Sequence, residues 1–305
     1  MVRGYLKNVA ESLIEFLEYK NLRQKDIKKL VFRKTILREK HYSPVFFLST
    51  GRTGTALFTK LLNKSRKVKA FHSPSSLICN AQSELIEQGR IAYEVYKLKG
   101  INDETTNILI SQIFWAAREN LLYKTFLHDR LYIETNNRIT FLAPAIRYLI
   151  PHARFVHLYR HPGEFIRSGI RRKYYNSDNE HELGRLTPQR GGDYFSDWKH
   201  FDDIQKIAWL WYETNKFIED FLSLIDKNYY FKFNFNNLSL GNVNELMEFL
   251  DIHDISPKTI KKLISKPVNV QKRENFPKYQ DWNEEDKNKV KKICGGLAQK
   301  YGYKL

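Results

Sequence analysis

Two patterns of hydrophobic and polar positions alternate along most of the chain. One is a short, continuous apolar run, and the other is a series of apolar residues at helical spacing. Short apolar runs typical of buried strands lie at residues 45–49, 68–71, 131–135, 154–160 and 229–235. Apolar residues at helical spacing predict helices over 53–63, 81–98, 105–122, 139–149, 162–175, 204–224, 242–252 and 282–302. Strands that alternate with helices predict an α/β fold, with a mostly parallel sheet covered by helices on both faces. The polar segment 176–198 between them predicts an ordered loop or lid.

The pattern predicts two parts of unequal size. Residues 1–40 predict a basic helical extension, and residues 41–305 predict a single α/β domain. The extension begins with an amphipathic pattern, which favours packing on the domain over a peripheral contact with a membrane and leaves both open. No apolar run reaches the ~20 residues of a membrane span. Acidic residues interrupt the start, unlike a signal peptide.

Composition and charge exclude few classes of protein or ligand. The two cysteines, Cys79 and Cys294, are too few and too far apart to predict a disulfide framework or a metal cluster. Without signal or span, they predict a cytoplasmic protein and no metal. The net charge of +17 favours a polyanionic ligand, such as a nucleotide, nucleic acid, acidic glycan or anionic membrane. Ordinary solubility explains the same charge equally well.

The sequence STGRTGT follows the first predicted strand and precedes a predicted helix. Ligands of open parallel sheets bind beyond the carboxyl ends of the strands, where this turn lies. Two glycines permit a close backbone approach, the hydroxyls donate hydrogen bonds and the arginine adds charge, which together predict a phosphate-like anion site. Its residues are Ser49, Gly51, Arg52, Thr53, Gly54 and Thr55. The spacing matches neither a Walker A loop nor a dinucleotide-binding turn, and a plain strand–helix connection is the alternative.

A second turn repeats this design after the strand at 154–160. Arg160 ends the strand, a Pro/Gly turn follows, and Ser168 lies eight residues later in the next predicted helix. If the strand end folds back against that helix, Arg160 and Ser168 converge on a second phosphate. The alternative is an ordinary helical serine and an arginine in a salt bridge.

Together the two turns resemble those of sulfotransferases that use 3′-phosphoadenosine 5′-phosphosulfate. The resemblance covers residues 43–305, including the later NFNNLS segment and the closing Trp282, Gly302 and Tyr303. It implies a P-loop-kinase-like sheet, with the first turn on the 5′-phosphosulfate and Arg160 and Ser168 on the 3′-phosphate. It also implies that Lys272 and Arg273 close over the donor, although a solvated charge run is the alternative.

Two departures from that family concern the catalytic base. Relatives often carry His-Glu-Pro after the second strand, whereas this chain has His72 followed by Ser73, and a lysine expected near residues 134–137 is absent. His72, whose ordinary pKa is ~6.5, is the first candidate for the base. Glu134 is the second candidate, as base or as the group that orients His72. A buried structural histidine and an ion pair of Glu134 with Arg130 or Arg138 are the alternatives.

The sequence thus predicts sulfuryl transfer to a hydroxyl, with a carbohydrate or glycolipid as acceptor. Arg52 is expected to stabilise the leaving phosphate. The segment 171–175 and Arg185 can contact an acidic glycan, but the sequence does not choose among acceptors. A nucleotide-dependent kinase and a non-catalytic protein that binds polyanions or nucleic acid are the rival classes. The first lacks a Walker lysine and the second lacks a recognised module, so nucleic acid is not the expected partner.

Overall fold

The computed structural model describes residue 24 and residues 26–72, 81–176, 185–265 and 276–305. At its centre lies a five-stranded parallel sheet. The strands are β1 (Val45–Leu48), β2 (Val68–Phe71), β3 (Leu131–Glu134), β4 (Arg154–Tyr159) and β5 (Tyr230–Asn234). Their spatial order is β2-β3-β1-β4-β5. This order confirms the predicted α/β class and the P-loop-kinase-like sheet.

Helices connect the strands and cover the sheet. They are α1 (Thr55–Leu62), α2 (Ala81–Lys99), α3 (Glu104–Leu127), α4 (Ala143–Leu149), α5 (Pro162–Ile170), α6 (Asp203–Leu222), α7 (Leu240–Leu250), α8 (Pro257–Ile264) and α9 (Glu284–Lys300). Parallel neighbours require such crossover connections, because a tight hairpin can join only antiparallel strands. None of the described helices is both long and apolar enough to cross a membrane.

Alternate residues of the central strand enter two separate apolar cores. Phe46 and Leu48 contribute to one core, with aromatic side chains of α3 and α6, and Val45 and Phe47 contribute to the other, with α1 and α7. Every residue of β1 is buried. The continuous apolar run at 45–48 therefore reflects helices on both faces of the sheet.

Residues 26–38 form a helix that packs on the domain. Phe32 and Ile36 are fully buried, and the Phe32 ring centroid lies 6.0 Å from that of Trp115 in α3. Residues 1–23 and 25 lie outside the described residues. The division of the chain at residue 40 and the amphipathic start stay predictions.

Two predicted helices have different bounds in the structure. The helix predicted over 162–175 ends at Ile170, and Lys173 and Tyr175 then adopt left-handed φ values of 57° and 67°. The helix predicted over 139–149 is a 3₁₀ helix over Asn137–Leu142 followed by α4. Pro144 explains this change, because proline has no N–H for a helical hydrogen bond and fits only the first turn of an α-helix.

Among the described α-helices, α8 was missing from the sequence prediction. Ser256 caps α8 by accepting a hydrogen bond from the Thr259 N–H, and Pro257 occupies its first turn. Both are signals of a helix start that the apolar periodicity of this short segment does not show. The described part of the predicted 176–198 loop, residues 185–197, contains turns and bends.

The strand register brings the candidate residues to one edge of the sheet. Phe71 of β2 pairs with Glu134 of β3, and Leu48 of β1 pairs with His157 of β4. The residues that follow β1, β2 and β4 include Ser49, His72 and Arg160. All three therefore lie at the carboxyl edge, where ligands of such sheets bind.

Candidate active site

The turn after β1 has a backbone that few sequences can adopt. Gly51, Arg52 and Gly54 have left-handed φ values of 76°, 57° and 86°. A Cβ on Gly54 would lie 2.0 Å from the ring of Phe235, which follows β5. Position 54 therefore requires glycine for its φ and for its packing.

Hydrogen bonds to the neighbouring 3₁₀ helix fix the start of the turn. The Thr140 hydroxyl accepts from the Ser49 N–H at 3.0 Å and donates to the Ser49 carbonyl at 3.1 Å. The Gly51 N–H donates to Ser49 Oγ at 3.1 Å. Ser49 is buried, and its side chain organises the turn.

The helix that follows the turn begins without a side-chain cap. Gly54 is the N-cap residue of α1, no side chain accepts from its first N–H groups, and its first turn contains no acidic residue. By contrast, Asp103, Asp202 and Ser239 cap α3, α6 and α7 with their side chains. The positive end of the α1 dipole is thus available to an anion.

Arg52 connects the first turn to the second. Its Nε donates to Ser168 Oγ in α5 at 3.0 Å, and its carbonyl accepts from Arg160 Nη1 at 3.1 Å. Arg160 also forms a 3.1 Å ion pair with Glu164. The structure therefore brings Arg52, Arg160 and Ser168 together, with Arg160 in the salt bridge that the alternative interpretation expected.

The charges and buried polar atoms of this region fit an anionic ligand. Burial lowers the pKa of the Arg52 guanidinium, and the positive charges of Arg172 and Arg160 lower it further. Among the described residues, Thr53 Oγ1 and Arg160 Nε are buried without a hydrogen-bond partner. Unpaired buried donors are unfavourable. A phosphate or sulfate oxygen would satisfy such donors and reduce the repulsion among the arginines.

His72 lies one residue beyond β2 at the same edge. Its Nδ1 is 3.5 Å from Thr135 Oγ1, and that hydroxyl is 2.6 Å from Thr59 Oγ1 in α1. Burial lowers the pKa of His72, and the positive charge of Arg52 lowers it further. The imidazole is therefore mainly neutral at pH 7, which is the form that accepts a proton.

Glu134 has a different environment from the one that the sequence suggested. Its carboxylate accepts from Arg118 Nε at 2.8 Å, from Arg118 Nη2 at 2.9 Å and from the Tyr132 hydroxyl at 2.7 Å. Glu134 and Arg118 are both fully buried. The ion-pair partner is Arg118 rather than Arg130 or Arg138. This geometry favours a structural role for Glu134 over a role as base or as the group that orients His72.

The C-terminal segment packs against the second turn. A Cβ on Gly163, in the first turn of α5, would lie 2.3 Å from the Tyr279 ring. Arg167 Nε, also in α5, donates to the carbonyls of Phe276 and Pro277. Lys272 and Arg273 lie outside the described residues, so their predicted contact with the donor stays a prediction.

Sequence reasoning missed several residues that shape the site. Thr140 and Asn137 come from the 3₁₀ helix after β3, and a Cβ on Gly51 would lie 3.1 Å from the Asn137 side chain. Phe235 completes this set. Arg172 belongs to the segment 171–175 that the sequence proposed for acceptor contact, and its charge instead acts on Arg52. Asn137 and Phe235 each follow a strand, and that position could have identified them.

Comparison with protein families identifies the class. The model of the Sulfotransferase family matches residues 44–221, and the chain belongs to this family. The resemblance inferred from the two turns is confirmed, and the protein is a sulfotransferase. The kinase and the non-catalytic polyanion-binding protein are therefore set aside.

Among solved structures of low sequence identity, one with a TM-score above 0.5 shares the fold, and two others have lower scores. A sulfotransferase from Mycobacterium avium has a TM-score of 0.51 and 11% identity, covering 87% of this chain and 78% of its own. The sulfotransferase domain from the curacin biosynthetic pathway has a TM-score of 0.48 and 15% identity, covering 86% and 98%. A sulfotransferase from Alicyclobacillus acidocaldarius has a TM-score of 0.48 and 12% identity, covering 86% and 97%. A search of curated proteins finds no match.

Proposed function

We propose that the protein transfers a sulfuryl group from 3′-phosphoadenosine 5′-phosphosulfate to a hydroxyl of a carbohydrate or glycolipid. The observation that carries the proposal is the connection of the two turns through Arg52, which contacts both Arg160 and Ser168. A donor with phosphates at both ends of its ribose needs two adjacent anion sites. A mononucleotide needs only one.

The first turn is the proposed site for the 5′-phosphosulfate. Thr53 and Thr55 supply hydroxyls, Gly51 and Gly54 allow a close approach of the backbone, and the uncapped start of α1 supplies N–H groups. Ser49 orients the turn through its hydrogen bond with Gly51. Arg52 supplies positive charge beside the leaving phosphate.

The second turn is the proposed site for the 3′-phosphate. Arg160 is about a quarter exposed, and its Nε is buried without a partner among the described residues. Ser168 is partly buried on α5. Arg273 stays a candidate for a further contact.

His72 is the proposed base. When bound, the donor supplies a sulfur atom to which the acceptor oxygen becomes bonded, while the bond from sulfur to the 5′-phosphate oxygen breaks and its electron pair stays on the phosphate. His72 accepts the hydroxyl proton at Nε2, since Nδ1 faces Thr135. Burial and Arg52, which lower the pKa of His72, keep the imidazole neutral before the step.

Calorimetry with nucleotides tests this function. We expect 3′-phosphoadenosine 5′-phosphate to bind far more tightly than AMP or ATP, because only it presents a phosphate to each turn. Equal affinities for AMP and 3′-phosphoadenosine 5′-phosphate (the bisphosphate) would contradict the proposal of two phosphate sites. Release of the bisphosphate from labelled donor, measured across a panel of hydroxyl acceptors, tests the acceptor class.

A further inference from the structure

Two threonine hydroxyls lie between His72 and the helix that follows the first turn. The Thr135 N–H donates to the Phe71 carbonyl at 2.8 Å, which extends the pairing of β2 and β3 by one residue and places Thr135 beside His72. Thr135 is fully buried, and its Oγ1 lies 3.5 Å from His72 Nδ1. The same Oγ1 lies 2.6 Å from Thr59 Oγ1 in α1. The two hydroxyls therefore connect the proposed base to α1.

The acceptors around these hydroxyls decide which nitrogen of His72 carries its hydrogen. Each threonine hydroxyl has a single hydrogen to donate. If Thr59 donates to the Thr55 carbonyl at 3.0 Å, Thr135 can donate to Thr59 at 2.6 Å. If Thr59 donates to Thr135 instead, the Phe71 carbonyl at 3.3 Å can accept from Thr135. In both arrangements Thr135 has an acceptor closer than Nδ1, so its contact with His72 calls for a hydrogen on Nδ1.

The backbone of Thr135 acts in the same direction. Burial lowers the pKa of His72 most and Arg52 lowers it as well, whereas a hydrogen bond with the Thr135 backbone raises it. A group that accepts from a ring N–H has this effect, because it stabilises the protonated ring. With hydrogen on Nδ1, the neutral imidazole keeps its lone pair on Nε2.

The same contacts connect the base to the proposed donor site. Thr59 Oγ1 lies 3.0 Å from the carbonyl of Thr55, which is one helical turn earlier and belongs to the first turn. The start of α1 is the proposed site of the 5′-phosphosulfate, and two hydroxyls extend from this helix to the ring of His72. One helix thus supports both the donor site and the base, which fixes the orientation of one relative to the other.

We propose that Thr135 and Thr59 are positioning residues for the reaction, because their hydroxyls hold His72 as the tautomer with hydrogen on Nδ1 and leave the lone pair of Nε2 for the acceptor proton. The proposal rests on the sulfotransferase function above and adds what selects the reacting nitrogen. Nε2 gains the proton as the acceptor oxygen becomes bonded to sulfur. The ring then is an imidazolium whose Nδ1–H still donates to Thr135, so no other hydrogen has to move.

NMR of the ring nitrogens measures the tautomer without any turnover. The full chain is labelled at histidine with a heavy nitrogen isotope, and the signals of His72 are those that His72→Gln removes. At about pH 8, where the ring is neutral, we expect the hydrogen mainly on Nδ1. Thr135→Val should shift the ratio toward Nε2, since the hydroxyl is lost, and Thr135→Ser should keep the wild-type ratio. Hydrogen mainly on Nε2 in the wild type, or an unchanged ratio in Thr135→Val, would overturn the proposal.

Turnover of labelled donor with the panel of hydroxyl acceptors relates the tautomer to the reaction. Thr135→Val should lower kcat by about 10-fold and leave the affinity for the bisphosphate unchanged, because one hydrogen bond to the ring is lost. Thr59→Val should have a smaller effect in the same direction, since the Phe71 carbonyl still accepts from Thr135. Thr135→Ser keeps the hydroxyl and should retain most of the activity.

A matched control separates positioning from a general loss of structure. Thr125→Val also removes a buried threonine hydroxyl, which donates to the Leu121 carbonyl within α3 at 2.7 Å, and it should match wild type in tautomer and kcat. An equal loss of kcat in the Thr125 and Thr135 variants, or weaker binding of the bisphosphate by Thr135→Val, would overturn the positioning role. Failure of the wild type to bind the bisphosphate would instead contradict the sulfotransferase proposal, so the two failures are distinguishable.

Discussion

At the scale of single residues, Arg52 contributes to the proposed site through both its backbone and its side chain. Its backbone has a left-handed φ of 57°, its guanidinium donates to Ser168 and its carbonyl accepts from Arg160. A left-handed backbone is unfavourable for a residue with a Cβ. The surrounding contacts stabilise it here, and through them one residue connects the two turns that follow the paired strands β1 and β4.

Arg160 offers a way to separate the two proposed phosphate sites. Arg160→Ala should weaken binding of 3′-phosphoadenosine 5′-phosphate by about 10- to 100-fold, because a charge-assisted hydrogen bond contributes about 1.5–3 kcal/mol. Binding of AMP should change much less. Calorimetry with both nucleotides measures the difference, and Arg66→Ala is an exposed control. Equal losses for AMP and the bisphosphate would move Arg160 away from the 3′-phosphate.

The role proposed for His72 predicts how the activity depends on this residue and on pH. His72→Ala should lower kcat by roughly 10²- to 10⁴-fold, the usual effect of losing a general base, with little change in donor affinity. A base must be unprotonated, so kcat/KM should rise with pH and level off. Since burial and Arg52 lower the pKa of His72, that rise should be centred below the ordinary value of ~6.5.

Two observations would reassign this role. The variant His253→Ala, at an exposed histidine after α7, controls for general effects and should retain full activity. A His72→Ala enzyme with near-normal turnover would show that another group accepts the proton. A pH profile centred above the ordinary histidine range would point the same way.

At the scale of elements, the turn depends on β5 as well as on its own sequence. The Phe235 ring occupies the space that a side chain at position 54 would need. Gly54→Ala should therefore destabilise the protein and abolish binding of the bisphosphate. Gly100→Ala is the matched control, because Gly100 also has a positive φ, of 91°, but has nothing within 4 Å of the added Cβ.

Thermal unfolding of the two glycine variants measures the contribution of the close contact. The control should show only the cost of the left-handed backbone, about 1–2 kcal/mol. The Gly54→Ala variant should lose more free energy of unfolding than this control. Equal destabilisation with normal nucleotide binding would mean that Phe235 moves aside at little cost.

The buried pair of Arg118 and Glu134 joins α3 to β3. Arg118→Met should destabilise the fold by about 3–5 kcal/mol, because it leaves an uncompensated buried carboxylate. The double variant Arg118→Met and Glu134→Met should be closer to wild type, since it removes both charges. Denaturant unfolding measures each variant. A stable Glu134→Gln protein that binds donor but has lost turnover would instead restore a catalytic role for Glu134.

The sequence predicted the strands and their alternation with helices because buried parallel strands are short, continuous and apolar. It also predicted both turns, since glycine and proline mark strand–helix connections locally. It could not predict the partner of Glu134, because Arg118 lies sixteen residues earlier on a helix whose rotation depends on tertiary packing. Thr140 was missed for the same reason, whereas the position of Phe235 after β5 places it at the correct edge without showing its contact with Gly54. These contacts cross the sheet edge, and no local pattern encodes them.

At the scale of the whole molecule, the net charge of +17 allows two interpretations. The charge is either distributed for solubility or concentrated where an anion binds. The described structure supports a local concentration, because Arg172 and Arg160 lie close enough to Arg52 to lower its pKa. Lysines also lie at the opposite edge of the sheet, such as Lys64 and Lys67 between α1 and β2. The two edges can therefore be tested separately.

Salt dependence of donor binding distinguishes these interpretations. The affinity for 3′-phosphoadenosine 5′-phosphate should fall as salt rises from about 0.05 M to 0.5 M, because salt screens partly exposed charges. Arg172→Gln should lower the affinity at low salt and reduce the salt dependence, since it removes one charge beside Arg52. The double variant Lys64→Glu and Lys67→Glu removes more positive charge, but it does so at the amino edge of the strands, away from both turns. Its affinity and salt dependence, measured by calorimetry over the same range, should match wild type. If the lysine variant loses as much affinity as Arg172→Gln, the attraction comes from the field of the whole protein and not from the arginines of the site.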